Sequence, residues 1–216
     1  MRTRFDVRSP CVPLISRLMH VAALILAAGG SQRLGRPKQL EPWGGGTLLE
    51  HVIRQTTAFP VDEVWVVLGA HFDEIIERIE FDGASVIENP EWDEGIASSI
   101  RVGLDALTQL SRCESALIVL GDQPNISPEI VEELLVSHGR SKAPVTVPKY
   151  RYNRGNPVVV DRSLWPRLMS LEGDDGAARL WQAHPEWINE VWFSELGPRD
   201  IDTDVDVSEL KPRNSA

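Results

Sequence analysis

Residues 21–40 read VAALILAAGGSQRLGRPKQL. From Val21 to Ala27 every residue is apolar, whereas a strand with one face in water alternates apolar and polar side chains. The run therefore reads as a strand buried on both faces, as in a parallel sheet covered by helices. Directly after it, three glycines, two arginines, a proline and a lysine crowd into Gly29 to Lys38. In a doubly wound sheet the space just beyond a strand's carboxyl end is where ligands bind, so this loop is the first candidate site.

Working outward, three more short apolar runs recur: EVWVVLG (Glu63 to Gly69), ASVIE (Ala84 to Glu88) and SALIVLG (Ser115 to Gly121). Between them TLLEHVIRQTTA, HFDEIIERIE and GIASSIRVGLDALTQL have helical spacing, with Ile96, Ile100, Leu104 and Leu107 on one stripe. SPEIVEELLVSHG predicts a further helix with Ser127 as N-cap, Pro128 at its first position and Gly139 beyond its end. Beyond Val145 the pattern loosens. APVTVPKY, NPVVV and INEVWFSEL read as strands, SLWPRL and GAARLWQAH as short helices. The expected fold is α/β, a doubly wound, mostly parallel sheet sandwiched by helices. Residues 20–210 form one domain in this reading, with 1–19 a flexible extension and 211–216 a tail.

The glycine loop fails two phosphate-binding patterns. A Walker A loop needs Lys and Ser or Thr after its last glycine, but Gly35 is followed by Arg36 and Pro37. A dinucleotide fingerprint needs GxGxxG and an acidic residue after the second strand, but Gly29 and Gly30 are adjacent and that strand ends VVLGAH. The loop's chemistry still suits an anion. Glycine lets backbone N–H groups approach closely and take positive φ, Arg33 and Lys38 bring charge, and Pro37 stiffens the approach to Lys38.

The 216-residue chain has a formal net charge of -10, with 22 Lys and Arg against 32 Asp and Glu. Such a surface repels a phosphate backbone, so nucleic acid is excluded as a partner, and the clustering of Arg33, Arg36 and Lys38 gains meaning. Two cysteines, Cys11 and Cys113, without a CxxC pair or zinc-like histidine spacing, suggest a reducing cytoplasm. The first twenty residues are too interrupted for a signal peptide, and no later run has the length of a membrane span.

Six pieces in order, LAAGGSQRLGRPKQL, NPEWDEGIASSI, LGDQP, RGNPVVV, GDDGAARL and DIDT, resemble the molybdenum cofactor cytidylyltransferases within the molybdopterin nucleotidyltransferase family, over roughly Val21 to Asp206. The resemblance implies transfer of CMP from CTP to the terminal phosphate of molybdopterin with release of pyrophosphate. CTP and molybdopterin would be the partners, with a molybdoenzyme as possible recipient and Mg2+ as cofactor. It assigns catalysis to Arg33 and Lys38, and nucleotide binding to Ala27, Ala28, Gly29, Gly30, Gly95 and Ser98. Asp122, at the end of an apolar strand, becomes a metal ligand, as carboxylates joined by substrate phosphates commonly are for Mg2+. In PRDIDTDVD, alternate aspartates would share one face of a strand, and Asp202 is a second candidate ligand. Asn156 stands where the group usually has His, and with Arg179 it is a candidate acceptor contact; Gly173, Asp174 and Gly176 form the loop before that helix. Trp92 is a candidate for the site wall. A different phosphate acceptor, GTP as donor, and a non-catalytic cofactor carrier are the rival readings.

Overall fold

The computed structural model describes residues 19–173 and 177–211. The stretch that opened the sequence forms β1 (Val21–Leu26), buried at all six positions. After a 3-10 turn (Lys38–Leu40), β2 (Pro42–Trp43) and β3 (Gly46–Thr47) make a small hairpin whose two linking glycines, Gly44 and Gly45, have positive φ. Helix α1 (Leu48–Thr57) starts at a capping box, in which Thr47 accepts from the Glu50 N–H and the Glu50 carboxylate accepts from the Thr47 N–H. Then come β4 (Glu63–Leu68), α2 (Phe72–Arg78), β5 (Ser85–Glu88), α3 (Ile96–Leu110), β6 (Ser115–Leu120) and α4 (Pro128–Arg140). The last third contributes β7 (Val145–Tyr150), β8 (Asn153–Arg154), β9 (Val158–Asp161), α5 (Trp165–Leu168), α6 (Ala178–Ala183), β10 (Ile188–Phe193) and α7 (Asp204–Leu210).

The strands lie in the order β10, β7, β9, β6, β1, β4, β5, with β8 paired to the end of β7. Pairs β1–β4, β1–β6, β4–β5 and β7–β10 are parallel, and β9 runs antiparallel to both its neighbours. The mostly parallel, helix-covered sheet is the architecture the apolar runs required. Alternation along β1 assigns its two faces. Val21, Ala23 and Ile25 pack with Leu49, Ile53, Ile75 and Leu134 from α1, α2 and α4. Ala22, Leu24 and Leu26 pack with Ile100, Leu104, Leu107, Trp165 and Trp181 from α3, α5 and α6. Each large side chain so buried contributes roughly 1.5–3 kcal/mol, so both faces stabilise the central strand.

Three local expectations change. Gly139 lies inside α4 rather than beyond it, because the helix continues to Arg140 and closes where the Ser141 N–H donates to the Ser137 and His138 carbonyls. The aspartates of PRDIDTDVD do not lie along a strand: Thr203 caps α7 by a second capping box with Asp206, placing Asp204 and Asp206 on a helix. Met19, expected in the extension, packs against the core; residues 1–18, and 212–216 of the expected tail, lie outside the described residues, as do Asp174 and Gly176.

Candidate active site

The register Leu26–Val67 and Leu26–Leu120 brings the carboxyl ends of β4, β1 and β6 level, so the loops after all three meet at one edge of the sheet. Between them lies a cleft of about 400 Å³ lined by Ala27 to Gly30, Lys38, Gln39, Trp92, Gly95, Ser99 and Asp122. A second hollow, of about 390 Å³, borders the same loop and adds Arg33 and Asp202. The glycine loop is therefore flanked by space on both sides.

Gly30 and Gly69 are needed for packing rather than for unusual backbone angles. A Cβ on Gly30 would sit 2.9 Å from the Trp92 indole, and one on Gly69 would sit 2.4 Å from the Trp92 Cβ and 2.9 Å from the Ala28 Cβ. Trp92 thus seals the end of the loop and lines the cleft. The expected positive φ does not fall on Gly29 or Gly30; Ser31 (52°) and Gly35 (73°) take it. Ser31 then accepts a hydrogen bond from the Lys38 N–H at 3.1 Å, which folds the loop back.

Lys38 stands at the centre of the charge arrangement. Its ammonium donates to Asp122 Oδ2 at 2.5 Å and to Asp202 Oδ1 at 3.2 Å. Arg33 pairs with Asp202 Oδ2 at 2.7 Å and is itself exposed. Arg36 turns away from the cleft: its guanidinium spans Glu41 and Asp204, and both partners hold its pKa above the ordinary value. Of the three clustered cations, Lys38 and Arg33 border the cleft and Arg36 ties the loop to α7. Burial pushes the Asp122 carboxyl up, against the opposing pull of Lys38. Burial pulls Lys38 down, but its two carboxylates outweigh this and hold it above its usual value. Asp122 Oδ1 is buried without a hydrogen-bond partner among the described residues.

The loop before α3 forms the opposite wall. Gly95 caps the helix with φ 101°, a conformation that favours glycine. Ser98 does not line the cleft: its hydroxyl donates to the Gly95 carbonyl at 2.8 Å and accepts from Asn89 Nδ2 at 2.9 Å, so it shapes the turn from beneath. The neighbouring Ser99 lines the cleft, and Asn89, buried beneath both serines, anchors them. Asn89 received no role from the sequence, although a polar residue closing strand β5 was its one signal.

A third cavity, of about 300 Å³, shares Leu26, Ile96 and Leu120 with the first and continues over apolar side chains to Trp181, Arg154 and Asn156. Asn156 therefore belongs to this cavity and not to the glycine loop. From α6 it is Ala178 and Trp181 that line it, while Arg179 is exposed. Among the described residues no group of three or more His, Cys, Asp or Glu side chains is placed to hold a metal ion alone, and no helix is long and apolar enough to cross a membrane.

The chain that builds this site has relatives among known proteins. Residues 23–187 match the family described as the MobA-like NTP transferase domain. The chain is 34% identical over 191 residues to nicotine blue oxidoreductase of Paenarthrobacter nicotinovorans, a match covering 85% of this chain and 92% of that protein. It is 25% identical over 197 residues to the molybdenum cofactor cytidylyltransferase of Escherichia coli, covering 89% and 96%. The manganese complex of Rv0371c from Mycobacterium tuberculosis superposes with a TM-score of 0.74 at 26% identity, covering 89% of this chain and 98% of that one. The chain belongs to the family of MobA-like NTP transferase domains.

Proposed function

We propose that the protein moves CMP from CTP to the terminal phosphate of molybdopterin and releases pyrophosphate. The observation that carries this reading is the Lys38 ammonium, held between Asp122 and Asp202 at the mouth of a loop rich in backbone N–H groups. A triphosphate presents several negative oxygens, and N–H groups, a mobile ammonium and a guanidinium are the groups that neutralise them. The six-piece resemblance and the cytidylyltransferase relative, aligned over 89% of the chain, support the acceptor.

In this reading the cleft beside Trp92, Gly95 and Ser99 holds the nucleoside, and the loop with Lys38 and Arg33 holds the phosphates. The cavity reaching Asn156 holds the acceptor, whose body meets the nucleotide across Leu26, Ile96 and Leu120. An oxygen of the acceptor's terminal phosphate forms a bond to the α-phosphorus. The bond from that phosphorus to the bridging oxygen breaks, and pyrophosphate leaves with the electron pair. The attacking oxygen is already anionic near neutral pH, so no side chain need take a proton, and positioning and charge neutralisation do the catalysis.

The residues present fit a divalent cation. Asp122 Oδ2 and Asp202 Oδ1 already converge on one positive charge, and Asp122 Oδ1 is buried and unpartnered. Asp122 and Asp202 would hold Mg2+ or Mn2+, leaving other coordination positions for phosphate oxygens and water. When bound, the ion supplies further charge neutralisation at the reacting phosphates. Lys38, displaced from the carboxylates, would be free to reach the phosphates.

The 34% identity to nicotine blue oxidoreductase favours a second reading, redox turnover of a related heterocycle. Both are tested by measuring kcat/KM with CTP and with GTP in the presence of molybdopterin, beside a reductase assay on nicotine blue. The proposal expects turnover with molybdopterin and CTP ahead of GTP. Turnover of nicotine blue with no nucleotidyl transfer would replace it, and binding of the dinucleotide product without pyrophosphate release would point to a carrier.

A further inference from the structure

The three peptide groups between Ala27 and Gly30 are each gripped by the carbonyl. The Ala28 carbonyl accepts from the Ala70 N–H at 3.0 Å. The carbonyls of Ala27 and Gly29 both accept from one nitrogen, Nε2 of Gln39, at 2.7 and 3.0 Å. In a planar trans peptide the C=O and the following N–H point in opposite directions. Fixing the carbonyls of Ala27 and Gly29 therefore aims the N–H groups of Ala28 and Gly30 away from Gln39. Those N–H groups, with that of Gly29, have no hydrogen-bond partner among the described residues, and all three residues line the cleft.

We infer that Gln39 is a positioning residue that sets the loop's peptide planes so that their N–H groups can receive the nucleotide's anionic oxygens. The residue is 2% exposed and its Oε1 is buried with no donor among the described residues, so its side-chain hydrogen bonds are those of Nε2 to the loop. Two donors on one nitrogen are what two neighbouring carbonyls need. Glutamate has none, and methionine has the size without the hydrogens. The amide has one tolerable orientation, since a flipped group would set its oxygen against both carbonyls. Gln39 also follows Lys38 in the same 3-10 turn, so one residue holds the N–H groups and the ammonium in register.

The inference rests on reading this cleft as the nucleotide site, and two measurements separate the failure of one from that of the other. Hydrogen exchange at the amides that tie the loop down, the Ala70 N–H bonded to the Ala28 carbonyl and the Ala27 N–H bonded to the Val67 carbonyl, should without any nucleotide be faster in Gln39→Met than in the wild type, with exchange in α1 unchanged. In steady-state assays with CTP and molybdopterin, the same variant should raise the CTP KM by about tenfold or more, with a smaller effect on kcat. Gln39→Glu, which keeps the shape but loses both donors, should loosen the loop at least as much. Thr146→Val removes a buried hydroxyl at the other end of the sheet and serves as the control for a general stability loss; it should leave the CTP KM within about twofold. Loop exchange at the wild-type rate in both Gln39 variants overturns the inference. Loosened loops in a protein whose wild type binds no nucleotide would uphold the positioning role and remove the functional reading.

Discussion

Two polar clusters at opposite ends of the sheet are completed to different degrees. At the amino ends of β6 and β7, His138 lies between Ser115 Oγ at 3.3 Å and Thr146 Oγ1 at 3.0 Å, and Asn189 Nδ2 donates to the same threonine at 3.2 Å. Every side chain in that network has a partner. At the carboxyl ends, the buried Asp122 Oδ1, Gln39 Oε1 and Gln123 Oε1 are without one among the described residues, as are the N–H groups of three residues that line the cleft. Leaving such groups unmet is unfavourable, and a fold tolerates it where something other than the chain completes the set. The contrast predicts that changes at the carboxyl end alter activity more than stability, and changes at the amino end the reverse.

The largest expected effect is that of Asp122→Asn. The amide keeps the shape but carries no charge to offset a divalent cation, so metal-dependent turnover should fall about 10³-fold or more while thermal unfolding shifts little. Activity that persists with the same metal requirement would take Asp122 out of the site. Lys38→Ala comes next, with turnover expected to fall on the order of 10²-fold in a folded protein. Near-normal turnover would break the contrast at its centre, because Lys38 would then serve only to neutralise Asp122 and Asp202.

Ala28→Gly probes base selection. In the proposed function the Ala28 methyl would narrow the wall beside the base, and exclusion of this kind is worth about 1–3 kcal/mol. The ratio of kcat/KM for CTP over GTP should therefore exceed one in the wild type and shrink in the variant. An unchanged ratio would move selection to the loop around Gly95 and Ser99.

The smallest effect belongs to the amino end. Burial holds the His138 pKa below its usual value, against a weaker opposing influence from Asp161. A group whose folded pKa is depressed binds a proton more readily when unfolded. The stability His138 confers is therefore present above about pH 6.5 and is lost as the pH falls through that value toward the folded pKa. His138→Gln, which can keep both hydrogen bonds without titrating, should flatten the fall of Tm between pH 7 and pH 5 and leave kcat unchanged at pH 7. A variant as acid-labile as the wild type would place the titration elsewhere.

The fold was legible where burial is two-sided. The runs at Val21, Glu63 and Ser115 became parallel strands, because an unbroken apolar run has few other places in a soluble domain. The direction of β9 was not legible: NPVVV reads the same in either sense, and pairing antiparallel to β6 and β7 depends on the route of the chain through α4 and β7. In DIDTDVD, charge alternation drew attention away from Thr203 and Asp206, whose spacing is that of a capping box. Of the site, Lys38 and Asp122 could be foreseen because a charged residue at the end of an apolar strand or in a glycine loop is conspicuous. Ser98 and Ser99 could not be told apart, since Asn89 donates to both hydroxyls and one residue of helical rotation decides which of them lines the cleft. Gln39 was hidden by its neighbour Lys38, and its role exists only in two carbonyls ten and twelve residues away.

The central claim is that the incomplete end of the sheet is completed by a nucleoside triphosphate whose α-phosphorus is transferred. Phosphorus NMR of the wild-type protein with CTP, Mg2+ and molybdopterin observes that bond directly. The account predicts that CTP resonances are replaced by pyrophosphate and by a new diphosphate linkage between CMP and the pterin phosphate, in equal amounts. CTP resonances that persist, or CTP hydrolysed without a new linkage while molybdopterin is unchanged, would contradict it.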